Sequence, residues 1–212
     1  LSPTAAHLAQ ASTILQNGGL VAFPTETVYG LGADASNDHA VAKIYQAKGR
    51  PQFNPLIVHV ANVQTARRFV QWNALADQLA QAFWPGPLTL VLPRKKDAVL
   101  SDLLSAGLPT IAIRVPKHPV AKALLTQFGG AVAAPSANPS GQISPTSPAH
   151  VRSGLDGRID AIVDGAVCTV GLESTIVQLD DGAVLLRPGG VAVEDIEKEI
   201  GRPVSIRPNV KK

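Results

Sequence analysis

The stretch Leu20-Val21-Ala22-Phe23-Pro24-Thr25-Glu26-Thr27 sets four consecutive apolar residues against a proline and three polar residues. A short apolar run bounded by a breaker reads as a buried strand, and Pro24, which has no N–H for a sheet ladder, closes it. The polar turn at residues 25–27 therefore lies at a strand end, where α/β domains collect their ligand groups. Upstream, Ser2-Pro3 reads as a helix cap and first-turn proline, Leu8, Ala11 and Leu15 form a helical stripe, and Gly18-Gly19 end it. Downstream, the tract Val28-Tyr29-Gly30-Leu31-Gly32 leads to Ser36 or Asn37. Either can cap a helix whose apolar face is Val41, Ile44 and Tyr45, and Pro51 forbids its continuation beyond Arg50.

The same alternation runs on. Residues 56–60 predict a strand, 63–70 and 75–83 helices, 88–92 a strand after the turn Trp84-Pro85-Gly86-Pro87, and 110–115 a strand carrying Arg114. A helix over 119–128 stops at Gly129-Gly130, and a short strand over 132–134 enters the loop Pro135-Ser136-Ala137-Asn138-Pro139-Ser140-Gly141. Beyond it come a short helix near 148–152, strands at 161–163, 175–179 and 184–187, and a final helix at 193–200. Interleaved strands and helices predict one α/β domain with a mixed sheet over residues 1–200, followed at 201–212 by a tail or the start of a linker.

Composition narrows the function classes. At 212 residues, 45% hydrophobic and 17% charged, the chain can bury a sizeable core as a single domain. A net charge of +3 and a pI near 9.2 suit an anionic ligand such as a nucleotide or RNA. One cysteine, Cys168, and the absence of an Asn-x-Ser/Thr acceptor give no sign of a secreted disulfide framework, so a cytoplasmic setting is expected. No apolar run approaches the roughly 20 residues of a membrane span. The chain opens on Leu1 and contains no methionine, so its native start is expected to lie elsewhere.

Several familiar chemistries find no footing. Gly30-Leu31-Gly32-Ala33-Asp34-Ala35 fits the loose pattern G-x-G-x-x-A, but six residues separate it from the strand that would have to feed it. The sequence contains no G-x-x-x-x-G-K-S/T phosphate loop, no G-x-S-x-G elbow and no H-E-x-x-H or zinc-spaced Cys/His set, so a protein-held metal is not expected. What remains are two polar signatures at element ends, Lys48-Gly49-Arg50 and Ser136-Ala137-Asn138. A point charge, a planar fork of donors and neutral hydrogen-bonding groups together suit a polyphosphate. Taken alone, Lys48 and Arg50 equally suit the negative end of a helix dipole, and Ser136 and Asn138 an ordinary turn. His59 on a strand reads as well as a core histidine, and Arg114 as a surface ion pair.

In chain order, Pro24-Thr25-Glu26-Thr27-Val28-Tyr29-Gly30-Leu31, Lys48-Gly49-Arg50-Pro51 with Asn54-Pro55-Leu56, Trp84-Pro85-Gly86-Pro87-Leu88-Thr89, Ser136-Ala137-Asn138, Gly171-Leu172-Glu173-Ser174-Thr175 and Leu186-Arg187-Pro188-Gly189 resemble the YrdC-like family. The resemblance runs from about Leu8 to Gly190. It implies an open twisted sheet with flanking helices and a large concave, positively charged face. It also implies an L-threonylcarbamoyladenylate synthase, a nucleotidyltransferase making threonylcarbamoyl-AMP and pyrophosphate from L-threonine, bicarbonate and ATP. This is the first step of threonylcarbamoyladenosine modification of tRNA. By position, the resemblance puts Thr27, His59, Arg114 and Ser174 at the threonine site and Arg50, Asn54, Thr110, Ser136, Ser144 and Arg187 at the ATP site. Lys48 and Asn138 complete the two phosphate-binding signatures, with Lys48 and Arg50 as catalytic stabilisers of phosphate charge. Mg²⁺ is expected on the ATP phosphates rather than in a protein cage. Expected partners are the downstream threonylcarbamoyl transferase machinery and, weakly, tRNA, with no membrane association. Two rivals stand beside this reading: a double-stranded RNA or tRNA-binding module without turnover, and a threonine-independent carbamoyl-adenylate activity of the kind the family serves in hydrogenase maturation.

Overall fold

The molecule, described from a computed structural model, is seen over residues 1–180 and 182–206. The opening reads α1 (Ala5–Gln16), β1 (Val21–Phe23), β2 (Gly30–Asp34), α2 (Asp38–Lys48) and β3 (Ile57–His59). The middle adds α3 (Val63–Ala66), α4 (Ala74–Phe83), β4 (Leu88–Pro93), a 3-10 turn (Asp102–Leu104), β5 (Thr110–Arg114), α5 (Pro119–Phe128) and β6 (Val132–Ala133). The chain continues through α6 (Pro148–Leu155), β7 (Ala161–Ile162), β8 (Thr175–Leu179), β9 (Ala183–Arg187), α7 (Val193–Ile200) and β10 (Ser205–Ile206). The strands form one mixed sheet in the order β10-β9-β8-β4-β5-β3-β6-β2-β1-β7.

Local chemistry accounts for most element ends. α2 begins at Asn37, whose side chain accepts from the His39 and Ala40 amides, and stops at Gly49 in the left-handed conformation at φ 59°. α5 is capped by His118 with Pro119 in its first turn and ends on left-handed Gly129. Two expectations are corrected. The cap of α1 is Thr4, not Ser2, because the Thr4 hydroxyl accepts from the His7 amide. The helix expected over 63–70 lasts only four residues, after which the chain turns so that Val70 bridges Arg94. In keeping with the rejection of a phosphate loop there, the glycine tract Gly30–Asp34 is strand β2, antiparallel to β1 and β6. The expected tail contributes β10, parallel to β9, while residues 207–212 fall outside the described ones.

Alternation along the strands separates two faces. One is a continuous apolar layer: Val58, Leu88, Leu90, Leu92, Ile111, Ile113, Val177 and Leu179 pack with Val41 and Ile44 of α2, Leu79 of α4, Val151 of α6 and Ile196 of α7. The opposite face divides. Over β1, β2 and β6, Leu8, Ala11 and Leu15 of α1 and Val120, Leu124 and Leu125 of α5 cover Val21, Phe23 and Val132. Over β3, β5, β4, β8 and β9, the same face carries Ile57, His59, Thr89, Arg114, Ser174, Ile176 and Arg187.

Candidate functional site

A cavity of about 190 Å³ opens on this second half, lined by Thr25, Thr27, Val28, Gly30, Arg50, Pro55, Ile57, His59, Arg114, Ala134, Pro135, Ser136, Glu173, Ser174, Ile176 and Arg187. Three arginines face one glutamate across it. Strand alternation brings several of these groups to one side: Ile57 and His59 of β3 sit in register with Ala112 and Arg114 of β5, and Ser174 and Ile176 frame the start of β8. Arg187 reaches the same side through an irregularity. Ile176 pairs with Arg187 but Val177 pairs with Leu185, so Leu186 is the extra residue of a bulge that turns Arg187 toward the cavity.

Three loops are stitched around this floor. In the turn after β1, the Thr25 hydroxyl donates to the Val28 carbonyl at 2.7 Å and lies 2.8 Å from the Thr27 hydroxyl. The loop after β6 runs along Gly30: Leu31 N–H donates to Pro135 O, and Ala137 N–H to Tyr29 O. The segment before β8 is tied to the first turn by Val170 N–H on Glu26 O and Gly171 N–H on Thr27 O. Gly189 then lets the chain after β9 lie directly on this segment. A Cβ there would fall 2.3 Å from Glu173 O, a clash no other residue escapes.

Arg114 is the best-anchored charge. Its Nη2 donates to Glu26 Oε1 at 2.6 Å, its Nη1 to Thr27 Oγ1 at 3.0 Å and its Nε to Gly86 O at 3.1 Å. Glu26 Oε2 also accepts from the Lys117 amide, so the buried pair is held at both ends. Such a pair fixes orientation more than it adds stability. His59 lies in the same register, its ring edge-on to Phe23 at the seam with the covered half. Burial, aided by the charge of Arg114, pushes the imidazole pKa down to about 3, so the ring is neutral at physiological pH.

The same lining carries expected phosphate groups, Arg187 and Arg50. Arg187 donates from Nε and Nη2 to the Ser174 carbonyl at 3.1 and 2.9 Å, and its Nη1 lies 3.1 Å from Glu173 Oε2. Ser174 Oγ shares a 2.7 Å bond with Thr89 Oγ1. Arg50 donates from Nη2 to Pro55 O at 3.1 Å. Burial lowers the guanidinium pKa of Arg50 and of Arg187 from the usual range.

Of the residues expected from sequence, Thr27, Arg50, His59, Arg114, Ser136, Ser174 and Arg187 meet in the cavity lining. Ser144 stands just behind, its hydroxyl 2.6 Å from Glu173 Oε1. Thr110 shares the strand face of Arg114 without lining the cavity, and Asn54 is engaged through its carbonyl, which accepts from the Tyr45 hydroxyl. Lys48 differs from expectation. It is buried, and its ammonium donates to the Ser136 and Asn138 carbonyls, so it ties the two signatures together from behind instead of facing the cavity. Burial, then the nearby Arg50 charge, lowers its pKa to about 8. Asn138 points its amide into its own loop, donating to Pro139 O and Gln142 O.

Sequence reasoning missed Thr25, Glu26 and Glu173 as parts of the site. Thr25 and Glu26 flank Thr27 in the polar turn that opened the reading, and Glu173 precedes Ser174, so adjacency was the available signal. Among the described residues, the buried side-chain nitrogen and oxygen atoms without a hydrogen-bond partner are Arg50 Nε, His59 Nδ1 and Asn138 Oδ1. All three belong to the expected site, and buried polar groups without partners are costly. Also among the described residues, no cluster of three or more His, Cys, Asp or Glu side chains could hold a metal ion, and no helix is long and apolar enough to cross a membrane.

Comparison with known proteins places this geometry. Residues 13–189 match the Sua5/YciO/YrdC family model, whose description is telomere recombination. A threonylcarbamoyl-AMP synthase of Bacillus subtilis is 53% identical over 203 residues, covering 95% of this chain and 58% of the relative. Another, of Pyrococcus abyssi, is 48% identical over 202 residues, covering 94% of this chain and 58% of the relative. The crystal structure of P. abyssi Sua5 complexed with L-threonine superposes with a TM-score of 0.91 at 46% identity, over 95% of this chain and 59% of that one. The chain thus spans a little over half the length of these relatives.

Proposed function

Because the chain belongs to the Sua5/YciO/YrdC family, we propose that it forms threonylcarbamoyl-AMP from L-threonine, bicarbonate and ATP, with release of pyrophosphate, as the first step of threonylcarbamoyladenosine modification of tRNA. The observation that carries this reading is the coincidence of the unpartnered buried atoms with the cavity. Arg50 Nε and His59 Nδ1 belong to side chains that line one cleft and offer polar groups to a ligand that bridges them. A named relative from P. abyssi binds L-threonine on the same fold, which supports the amino-acid half of the assignment.

The chemistry asks for positioning. The threonine amine combines with bicarbonate, losing water, to give a carbamate. A carbamate oxygen then attacks the α-phosphorus of ATP, and the bond to the β-phosphate oxygen breaks to release pyrophosphate. No protein nucleophile is needed, and the charge that builds on phosphate oxygens calls for fixed cations. Thr27, His59, Arg114 and Ser174 form the threonine wall, where the second hydrogens on the Arg114 terminal nitrogens suit an amino-acid carboxylate. Neutral His59 offers a hydrogen-bonding nitrogen without adding charge. Arg50, Ser136 and Arg187 form the phosphate wall, with Ser144 behind it, and Lys48 holds the Ser136 loop in place. Since no cluster of described residues would hold a metal ion, Mg²⁺ would be carried by the ATP phosphates and would neutralise part of their charge. The product is destined for the transferase that modifies tRNA in the cytoplasm.

The test is pyrophosphate release from ATP, bicarbonate and Mg²⁺, with and without L-threonine. Release that requires threonine is the expected result. Release independent of threonine, or none, would overturn the reading.

A further inference from the structure

Glu173 is the one carboxylate among the described cavity-lining residues, and it stands among cations. Its Oε2 lies 3.1 Å from Arg187 Nη1 and its Oε1 accepts from Ser144 Oγ at 2.6 Å. Two groups assigned above to the nucleotide are therefore already occupied by an internal anion. Its influence extends further. Burial is the main cause lowering the pKa of Lys48, Arg50, Arg114 and Arg187, and in each of the four the negative charge of Glu173 acts in the opposite sense. Glu173 and Arg187 are each about one-third exposed, so the carboxylate is not locked in place as Glu26 is. A permanently buried pair would need both partners closed off from solvent, as Glu26 and Arg114 are; Glu173 and Arg187 each make further hydrogen bonds but stay open to water.

We propose that Glu173 is an exchangeable internal anion: it holds Arg187 and Ser144 in the free protein, yields both to a phosphate group of ATP, and returns to them as pyrophosphate leaves. The inference rests on the nucleotide reading given above and deepens it. Exchange of one anion for another keeps the cleft cations partnered throughout the cycle. Its cost is a lowered apparent affinity, because only the fraction of molecules with Glu173 displaced can bind; a competent fraction of about one-tenth raises the apparent Kd about tenfold.

Titration calorimetry with inorganic pyrophosphate, without metal, on the wild-type chain and on Glu173→Gln tests this. The glutamine is isosteric and keeps a hydrogen bond to Ser144 within reach, and circular dichroism checks the fold. Tightening by about tenfold is expected, together with a lower KM for ATP and a reduced kcat as pyrophosphate leaves more slowly. Glu173→Asp, with its carboxylate drawn back by one methylene, should shift in the same direction by less. Unchanged or weaker pyrophosphate binding in Glu173→Gln would overturn the exchange. So would unchanged pyrophosphate affinity with weakened MgATP binding, which would give the carboxylate to the metal. If the wild-type chain binds neither pyrophosphate nor ATP, the nucleotide reading itself fails, and this outcome is separate from the others.

Discussion

Two halves of one sheet face, with the same pleat and the same alternation, have opposite fates. Over β1, β2 and β6 the outward positions are Val21, Phe23 and Val132, and the α1–α5 pair closes on them. Over β3, β5 and the entry to β8 the corresponding positions are His59, Arg114 and Ser174, and no helix of the described chain packs there. The covered half gains from water exclusion, whereas the open half keeps polar groups at fixed separations on rigid strands. His59, edge-on to Phe23, marks the border. What decides a site here is residue type at alternate positions, since the period is the same on both sides.

The sharpest way to break this comparison is Arg114→Ala. It strips the buried partner from Glu26, and leaving one charge of such a pair uncompensated costs about 3–5 kcal/mol. A matching fall in denaturant midpoint and loss of threonine dependence are expected; retained stability would mean that the pair is not closed off from water. In the covered half, Leu124→Ala should cost about 2–5 kcal/mol by opening a void in the α1–α5 layer while the KM for threonine stays put. A changed KM would show that the two halves are not separable.

His59 sharpens the border. Its pKa falls from the ordinary 6.5 to about 3 in the folded chain. Between those values the unfolded chain holds more protons, so this group contributes stability that is present above pH 6.5 and lost as pH falls. By pH 4 the loss is roughly 3 kcal/mol, at 1.36 kcal/mol per pH unit. Urea denaturation across this range should show the slope in the wild type and a flatter one in His59→Gln; equal slopes would place the ring in contact with solvent. Arg50→Ala should lower turnover about a hundredfold, or about 2.7 kcal/mol. Its partly exposed position and single side-chain hydrogen bond, to the Pro55 carbonyl, predict a melting temperature close to wild type. Turnover within a factor of two of wild type would remove it from the phosphate wall.

Much of this was legible in the chain. The 119–128 helix ends where Pro119 and Gly129 place it, and the strand–turn at 20–27 delivers Thr27 to the cleft because Pro24 stops the strand. Arg114 on β5 and His59 on β3 could be placed on one face once register was known, but register is a tertiary property that no single strand encodes. Arg187 was legible only by resemblance, because the bulge at Leu186 reverses the side that simple alternation assigns. β2 escaped because its glycines look like loop residues, although they sit in a strand pressed against Phe23 and Val132. Lys48 shows a different limit. Its position at the C-terminus of α2 was readable, whereas the direction of its ammonium depends on two carbonyls about ninety residues away.

The most direct measurement is a backbone NMR titration of the isotope-labelled chain with L-threonine. The account predicts shifts concentrated at Thr27, His59, Arg114 and Ser174, with the α1 and α5 amides unmoved. Shifts centred on the covered half, or no shifts at threonine concentrations that support turnover, would contradict it.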